Sequence, residues 1–235
     1  MPALIRLAAE PGRLGPGTVA RLATALQAVP RWQAEATAAE IATDSVDLAR
    51  ARDQVTEALG DAPVDAAVLP AGSGRKRLLL SDMDSTMITT ECIDELADYL
   101  GIRETIAAIT RRAMNGELDF IRALEERVAL LAGIEERVLA EICRERLEAS
   151  PGARTLLRTM RSTGACCVLV SGGFTPFTRH VRAMLGFDVD EANELEVAAG
   201  RLPGRRVPPI RDAAAMVGAL RRLTAALGLD AADVL

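Results

Sequence analysis

Along the first seventy residues the hydrophobic positions alternate between two periods. Ala3 to Leu7, Ala38 to Thr43 and Val64 to Leu69 are short apolar runs of strand length. Between them Val19, Leu22, Leu26 and Val29 follow helical spacing. Leu48, Ala51, Val55 and Leu59 do the same, with Ser45 as a cap before them and Gly60 after them. The order βαβαβ over residues 1–70 predicts a small α/β sandwich. It holds no carboxylate pair, glycine-rich turn or cysteine/histidine cluster, which favours a regulatory or packing role. Pro70-Ala71-Gly72-Ser73-Gly74 reads as a linker.

After the linker the pattern changes. Leu78-Leu79-Leu80 is a continuous apolar run, the mark of a strand buried on both faces. From Ile93 to Glu148 the period is helical. Ile93, Leu96 and Leu100 share one face, Ile102, Ile106 and Ile109 follow, and Leu118, Ile121, Leu124, Val128 and Leu131 form the strongest stripe, ended by Gly133. Val138 and Ile142 carry one more helix. An insert of this length exceeds a simple crossover and predicts a cap over the strand ends, where it would exclude water. Ser150 and Pro151 read as N-cap and first residue of a further helix that Gly164 ends. Ala165 to Val170 is a second buried strand, running into a Ser171-Gly172-Gly173 turn and a helix from about Thr175. Glu194 to Val197 and Arg205 to Val207 suggest a hairpin. Asp212 to about Leu227 is a last helix, and 232–235 resembles the start of another strand.

Composition narrows the class. The chain has 235 residues, 26% charged and 49% hydrophobic, as in a globular protein. A net charge of −5 argues against a nucleic-acid partner, and no apolar run reaches the length of a membrane span. The N-terminus lacks the apolar stretch of a secretory signal. Cys92, Cys143, Cys166 and Cys167 have no metal-ligand spacing and fit buried thiols in a reducing cytoplasm.

The chemistry gathers at two strand ends. Asp82 and Asp84 follow Leu78–Leu80, two residues apart, and point to one side while the backbone stays extended. Ligands of open α/β sheets bind at such ends. The Ser-Gly-Gly turn leading into a helix is a natural anion site. Clustered carboxylates beside an anion site suggest phosphate chemistry with a divalent cation, for which oxygen ligands suit Mg²⁺.

The segment Leu80-Ser81-Asp82-Met83-Asp84-Ser85-Thr86 resembles the signature of the haloacid dehalogenase superfamily of phosphatases. The strings DMDSTMITTECIDELAD, RRAMNGELDF, ERVALL and LVSGGFTPF, in this order over roughly residues 75 to 230, resemble its phosphoserine phosphatase family. The resemblance implies a Rossmann-like parallel sheet with helices on both faces and an inserted helical cap, about 92–149, within residues 75–235. Residues 1–70 resemble the ACT-like domain that precedes the catalytic part in bacterial members.

The implied function is Mg²⁺-dependent hydrolysis of O-phosphoserine, a small-molecule substrate, in the cytoplasm through an aspartyl-phosphate. The resemblance makes Asp82 the nucleophile and Asp84 the acid/base, both also on the metal, Asp84 through its backbone carbonyl. Glu91 would meet the substrate amino group and Arg127 its carboxylate. Ser171 and Gly172 would hold the phosphate, with Met114 and Phe120 as apolar cap contacts. A phosphatase for another small phosphomonoester and a non-catalytic serine-binding or regulatory relative are the alternatives.

Two departures from the family pattern carry expectations. The family has a phosphate-binding lysine in an Asp-Ala-x-x-Lys pattern, and here Asp212-Ala213-Ala214-Ala215 is followed by Met216. Loss of one such stabiliser typically costs about 10²- to 10³-fold in rate. Lys76, the only lysine, lies six residues before Asp82, roughly 20 Å away at strand rise. Arg211 is the nearest other cation in sequence. The family also continues into a Gly-Asp-Gly-x-Asn-Asp-like loop beyond the position of Leu235. Without the strand that precedes it, Leu78 to Leu80 would present an unpaired apolar edge open to self-association.

Overall fold

The computed structural model describes residues 2–44, 47–72 and 74–235. The chain divides into two compact units, Met1–Gly74 and Arg75–Leu235.

The first unit runs β1 (Ala3–Ala8), α1 (Pro16–Ala25), β2 (Val29–Ala34), β3 (Ala38–Thr43), α2 (Leu48–Leu59) and β4 (Asp65–Pro70). Its sheet is antiparallel with order β2-β3-β1-β4. The order is therefore βαββαβ, one strand more than the apolar runs predict. Strand β2 escapes the hydrophobic pattern because it is an edge strand with most of its residues exposed, and it carries Pro30, which edges tolerate. Val29 opens this strand at 84% exposure instead of extending the stripe of α1. Helix α2 is capped by Asp47, whose carboxylate accepts the Ala49 N–H at 3.0 Å. The Ser45 cap and the linker residue Ser73 lie outside the described residues. Ile5, Leu7, Leu22, Ile41 and Val55 form the core of this unit.

The second unit begins with β5 (Leu78–Ser81), followed by α3 (Cys92–Leu100), α4 (Arg103–Met114), α5 (Phe120–Ala129), α6 (Glu136–Glu145) and α7 (Ala153–Ser162). Then come β6 (Cys166–Phe174), α8 (Thr175–Leu185), β7 (Val189–Leu195), β8 (Arg206–Val207) and α9 (Ala213–Leu227). Strands β5, β6 and β7 are parallel, and β8 closes the hairpin antiparallel to β7.

The continuous apolar runs have a direct cause. Leu79, Cys167 and Leu169 face a core shared with α7, α8 and the inserted helices. Leu78, Val168 and Val170 face the other way, onto Ala219, Met216, Leu220 and Leu223 of α9. Each strand is thus covered on both sides, so no polar alternation survives.

Four sequence expectations change here. Helix α7 starts at Ala153 after Gly152 at φ +85°, so Ser150 is not its side-chain cap. Ile121 is 41% exposed, although its neighbours Leu124 and Val128 are buried. Ser171 to Gly173 is not a free turn: β6 runs through it with a register shift between Val170 and Phe174. Finally, the β5 edge is occupied. The Arg77 N–H donates to Asp233 O at 2.7 Å, the Leu80 N–H to Leu235 O at 2.9 Å and the Leu235 N–H to Leu78 O at 2.9 Å. Leu78 pairs in parallel with Val234. The strand start read at 232–235 is instead a 3₁₀ turn, Ala231–Asp233, followed by a single bridge at Val234, yet these residues satisfy the β5 groups expected to be open, which removes the basis for self-association through this edge.

Candidate active site

Residues 81–91 leave the sheet through a tight turn. The amides of Thr86, Met87 and Ile88 all donate to the Met83 carbonyl, at 2.9–3.2 Å, and the Met83 side chain is fully buried. Ser85 sits at φ +49°, a conformation that a non-glycine residue adopts at a cost. The turn anchors two carboxylates with separate surroundings. Asp82 Oδ1 accepts the Met83 N–H at 2.7 Å. Asp84 Oδ1 accepts the Cys92 N–H, at the start of α3, at 3.0 Å. The Ser85 hydroxyl donates to Glu91 Oε1 at 2.6 Å, fixing that side chain just before the helix.

The end of β6 completes the floor. Ser171 is 1% exposed, and its Oγ accepts the Gly173 N–H at 2.9 Å. Its hydroxyl proton therefore remains available to a ligand. Gly173 has no room for a side chain: a Cβ there would lie 2.9 Å from Asp84 Oδ2 and 3.1 Å from Ser171 Oγ. This glycine lets β6 approach the carboxylate. A Cβ at Gly172 would lie 3.3 Å from the Phe120 ring.

These groups line one cavity of about 190 Å³. The turn after β5 contributes Asp82 and Asp84, and the end of β6 contributes Ser171 to Phe174. The inserted helices contribute Ile93, Phe120, Leu124 and Arg127, and Glu91 lies at the junction. All but one of the predicted site residues thus come together. The exception is Met114. It ends α4 at 83% exposure and does not line the cavity, because Ile106, Ile109 and Ala113 take the packed face of that helix. Phe120 lines the cavity but is 42% exposed, a rim residue and not a core one. A wider recess of about 810 Å³ in the first unit, beside Thr43, Asp47, Arg50 and Gln54, has no comparable pairing of strand-end carboxylates with an anion loop.

Burial sets the electrostatics. It pushes the Asp84 carboxyl from 3.8 up to about 6, against the hydrogen bonds from Cys92 and with help from the nearby Glu91 and Asp82 charges. Burial also lowers the Arg127 pKa, while Asp94 and Glu91 favour its charge. Arg127 Nε donates to Ala123 O at 3.1 Å. Neither of the other candidate cations lines this cavity. Met216 packs against Leu78, Val168 and Val170. Arg211 Nη1 lies 3.6 Å from Glu191 Oε2, and Arg222 holds the other oxygen of that carboxylate at 2.7 Å. Lys76 Nζ donates to Ala232 O at 2.7 Å.

One residue escaped the sequence reading. Asn193 of β7 is fully buried beneath Gly172. Its Nδ2 donates to Gly172 O at 2.8 Å and Arg211 O at 3.1 Å, and its Oδ1 accepts the Arg211 N–H at 2.7 Å. The only sequence signal is an amide among the acidic residues of DEANEL, which reads as surface until the fold is known.

Residues 79–235 match the model of the haloacid dehalogenase-like hydrolases. The chain belongs to that family. It is 41% identical to the phosphoserine phosphatase of Streptomyces coelicolor over 195 residues, which covers 82% of this chain and 47% of the relative. A haloacid dehalogenase-family hydrolase from Salmonella enterica serovar Typhi superposes over 100% of this chain and 82% of its own, with a TM-score of 0.87 and 26% identity. A phosphoserine phosphatase solved as an analogue of its phospho-aspartyl intermediate matches 68% of this chain and 77% of its own, at a TM-score of 0.63 and 30% identity. The chain spans about half the length of the curated relatives it matches.

Hydrolases of this family that act on phosphoserine depend on a metal. The donor set here fits a hard cation. Asp82 and Asp84 bring oxygen ligands to one cavity, the Asp82 carboxylate and the Asp84 backbone carbonyl, and such ligands with water and a substrate phosphate are a usual Mg²⁺ set. Among the described residues no three or more Asp, Glu, His or Cys side chains gather into a cation cluster, at this cavity or elsewhere. No helix among the described residues is long and apolar enough to cross a membrane.

Proposed function

We propose that this chain carries the active site of a phosphoserine phosphatase, hydrolysing O-phosphoserine to serine and phosphate. The observation that carries this reading is the shared cavity. Strand ends supply Asp82, Asp84 and the Ser171–Gly172 anion site, while Glu91 and Arg127 bring one group of each sign for an α-amino acid. A volume of about 190 Å³ suits a small phosphoester.

In this reading the Asp82 carboxylate attacks phosphorus, and the bond from phosphorus to the serine oxygen breaks. Asp84 delivers its proton to the departing alkoxide, a task suited to a carboxyl raised to about 6. Asp84 then takes a proton from water as that water attacks the aspartyl-phosphate, which releases phosphate and restores Asp82. Ser171 Oγ–H and the Gly172 amide receive the phosphoryl oxygens. Glu91, fixed by Ser85, accepts from the substrate ammonium, and Arg127 donates to its carboxylate. Bound Mg²⁺, held by the Asp82 carboxylate and the Asp84 backbone carbonyl, would neutralise charge between phosphate and carboxylates.

The βαββαβ order of the first unit supports an ACT-like regulatory domain. The free thiols Cys92, Cys143, Cys166 and Cys167 support a cytoplasmic setting. The test is phosphate release from O-phosphoserine with Mg²⁺, for the wild type and Asp82→Asn. Turnover by the wild type and its loss in the variant are expected. Calorimetric binding without turnover, indifferent to Asp82→Asn, would instead favour a binding module.

A further inference from the structure

We infer that Asn193 is a positioning residue for the phosphate site: its side-chain amide holds the Gly172 carbonyl, and with it the 172–173 peptide that adjoins the Gly172 amide receiving the phosphoryl group. The inference deepens the phosphatase reading and rests on it. Asn193 touches neither the cavity nor the reacting atoms, yet it is fully buried and its hydrogen bonds are directed. The two carbonyls, Gly172 O at 2.8 Å and Arg211 O at 3.1 Å, need the NH₂ end of the amide. The Arg211 N–H, at 2.7 Å, needs the oxygen end. Turning the amide over would set its oxygen against two carbonyls, so one orientation is selected.

The consequence for the anion loop follows from peptide geometry. The 172–173 peptide is held from both sides, its C=O by Asn193 Nδ2 and its N–H by Ser171 Oγ. With that plane fixed, one of the two peptide planes flanking Gly172 is set, which narrows where its amide can point, and Ser171 Oγ is used as an acceptor, leaving its proton for the ligand. Both residues line the cavity. The register of β6 and β7 shifts over this same stretch, between Val170 and Phe174, so the strand ladder alone does not hold the loop. Asn193 takes over where the ladder lapses. It also ties the loop to Arg211, next to Asp212, whose carboxylate caps α9.

Replacing Asn193 by Asp keeps the shape and removes the donors. An ionised carboxylate would face the Gly172 and Arg211 carbonyls, whereas a protonated one could again donate to one of them. The charged groups around it are Arg211, whose backbone it contacts, Glu191, which pairs with Arg211 and Arg222, Asp190, which pairs with Arg182, and Glu194, the last three on the same strand.

The experiment measures binding of inorganic phosphate and of L-serine separately, with Mg²⁺ present, to the wild type, Asn193→Asp and Asn193→Ser. At pH 7.5 the phosphate Kd of Asn193→Asp should rise about tenfold or more, the scale of one lost charge-assisted hydrogen bond, while the serine Kd stays within about twofold. At pH 5 the deficit relative to wild type at the same pH should shrink for Asn193→Asp and persist for the uncharged Asn193→Ser. Equal weakening of phosphate and serine, or wild-type phosphate affinity in both variants, would overturn the inference alone. A wild type that binds no phosphate would overturn the phosphatase reading with it.

Discussion

Asp84→Asn should stabilise the metal-free protein at neutral pH, although it removes a proposed catalytic group. The carboxyl is largely buried, accepts one amide hydrogen bond from Cys92, and stands near Glu91 and Asp82, which together place its pKa at about 6 instead of 3.8. Between those values the folded chain holds a proton that the unfolded chain has released. Stability therefore falls as pH rises through this window, and the full penalty is present by pH 7. Roughly two pKa units correspond to about 3 kcal/mol, an upper figure because residual solvent access screens the charge. Asparagine keeps the oxygen acceptor for the Cys92 N–H and carries no charge. Urea unfolding in excess chelator, followed by circular dichroism and by hydrogen exchange of the 78–84 amides, measures the effect. Trp32, the only tryptophan, lies in the first unit and would report on the wrong one. The expected gain is about 1–3 kcal/mol at pH 7.5, shrinking towards zero at pH 4. A variant less stable than wild type at pH 7.5, or a gain equal at both pH values, would refute the argument from buried charge.

Other outcomes follow from the same contacts. Gly173→Ala should reduce turnover at least about 100-fold, since its Cβ must displace Asp84 Oδ2 or Ser171 Oγ; steady-state kinetics with a thermal melt separates this from unfolding. Arg127→Ala should raise KM for O-phosphoserine about 10- to 100-fold and leave that for a carboxylate-free phosphomonoester nearly unchanged. Ser85→Ala frees Glu91 from its 2.6 Å hydrogen bond and should raise KM about three- to tenfold with little change in kcat. Removing divalent cations with a chelator should abolish phosphate release, and added Mg²⁺ should restore it.

What could be read early was what repeats or what sits next to its partner in sequence. Helices α3 to α6 announced themselves because their buried positions recur with the helical period. Asp82, Asp84, Ser85 and Glu91 fall in one short segment, so their proximity required no knowledge of the fold. Strand β7 was legible only in its last residues. Its acidic side chains look solvated, but Asp190 is held by Thr178 and Arg182, and Glu191 by Arg211 and Arg222. Met114 failed for the opposite reason: a hydrophobic residue at a helix end carries no sign of whether that face is covered.

The chain's own order of residues thus determined the two-unit division, the buried strands and the carboxylate cluster, because each depends on local period or short separation. Tertiary structure decided the rest. Pairing of residues 233–235 with β5 closed an edge expected to be open. Packing of β6 and β7 placed Asn193 under Gly172, some twenty residues away in sequence, and no local pattern encodes that contact. Burial was the largest cause that raised Asp84, since a carboxylate's proton affinity depends on the solvent it loses, and that loss exists only once the chain has folded around it.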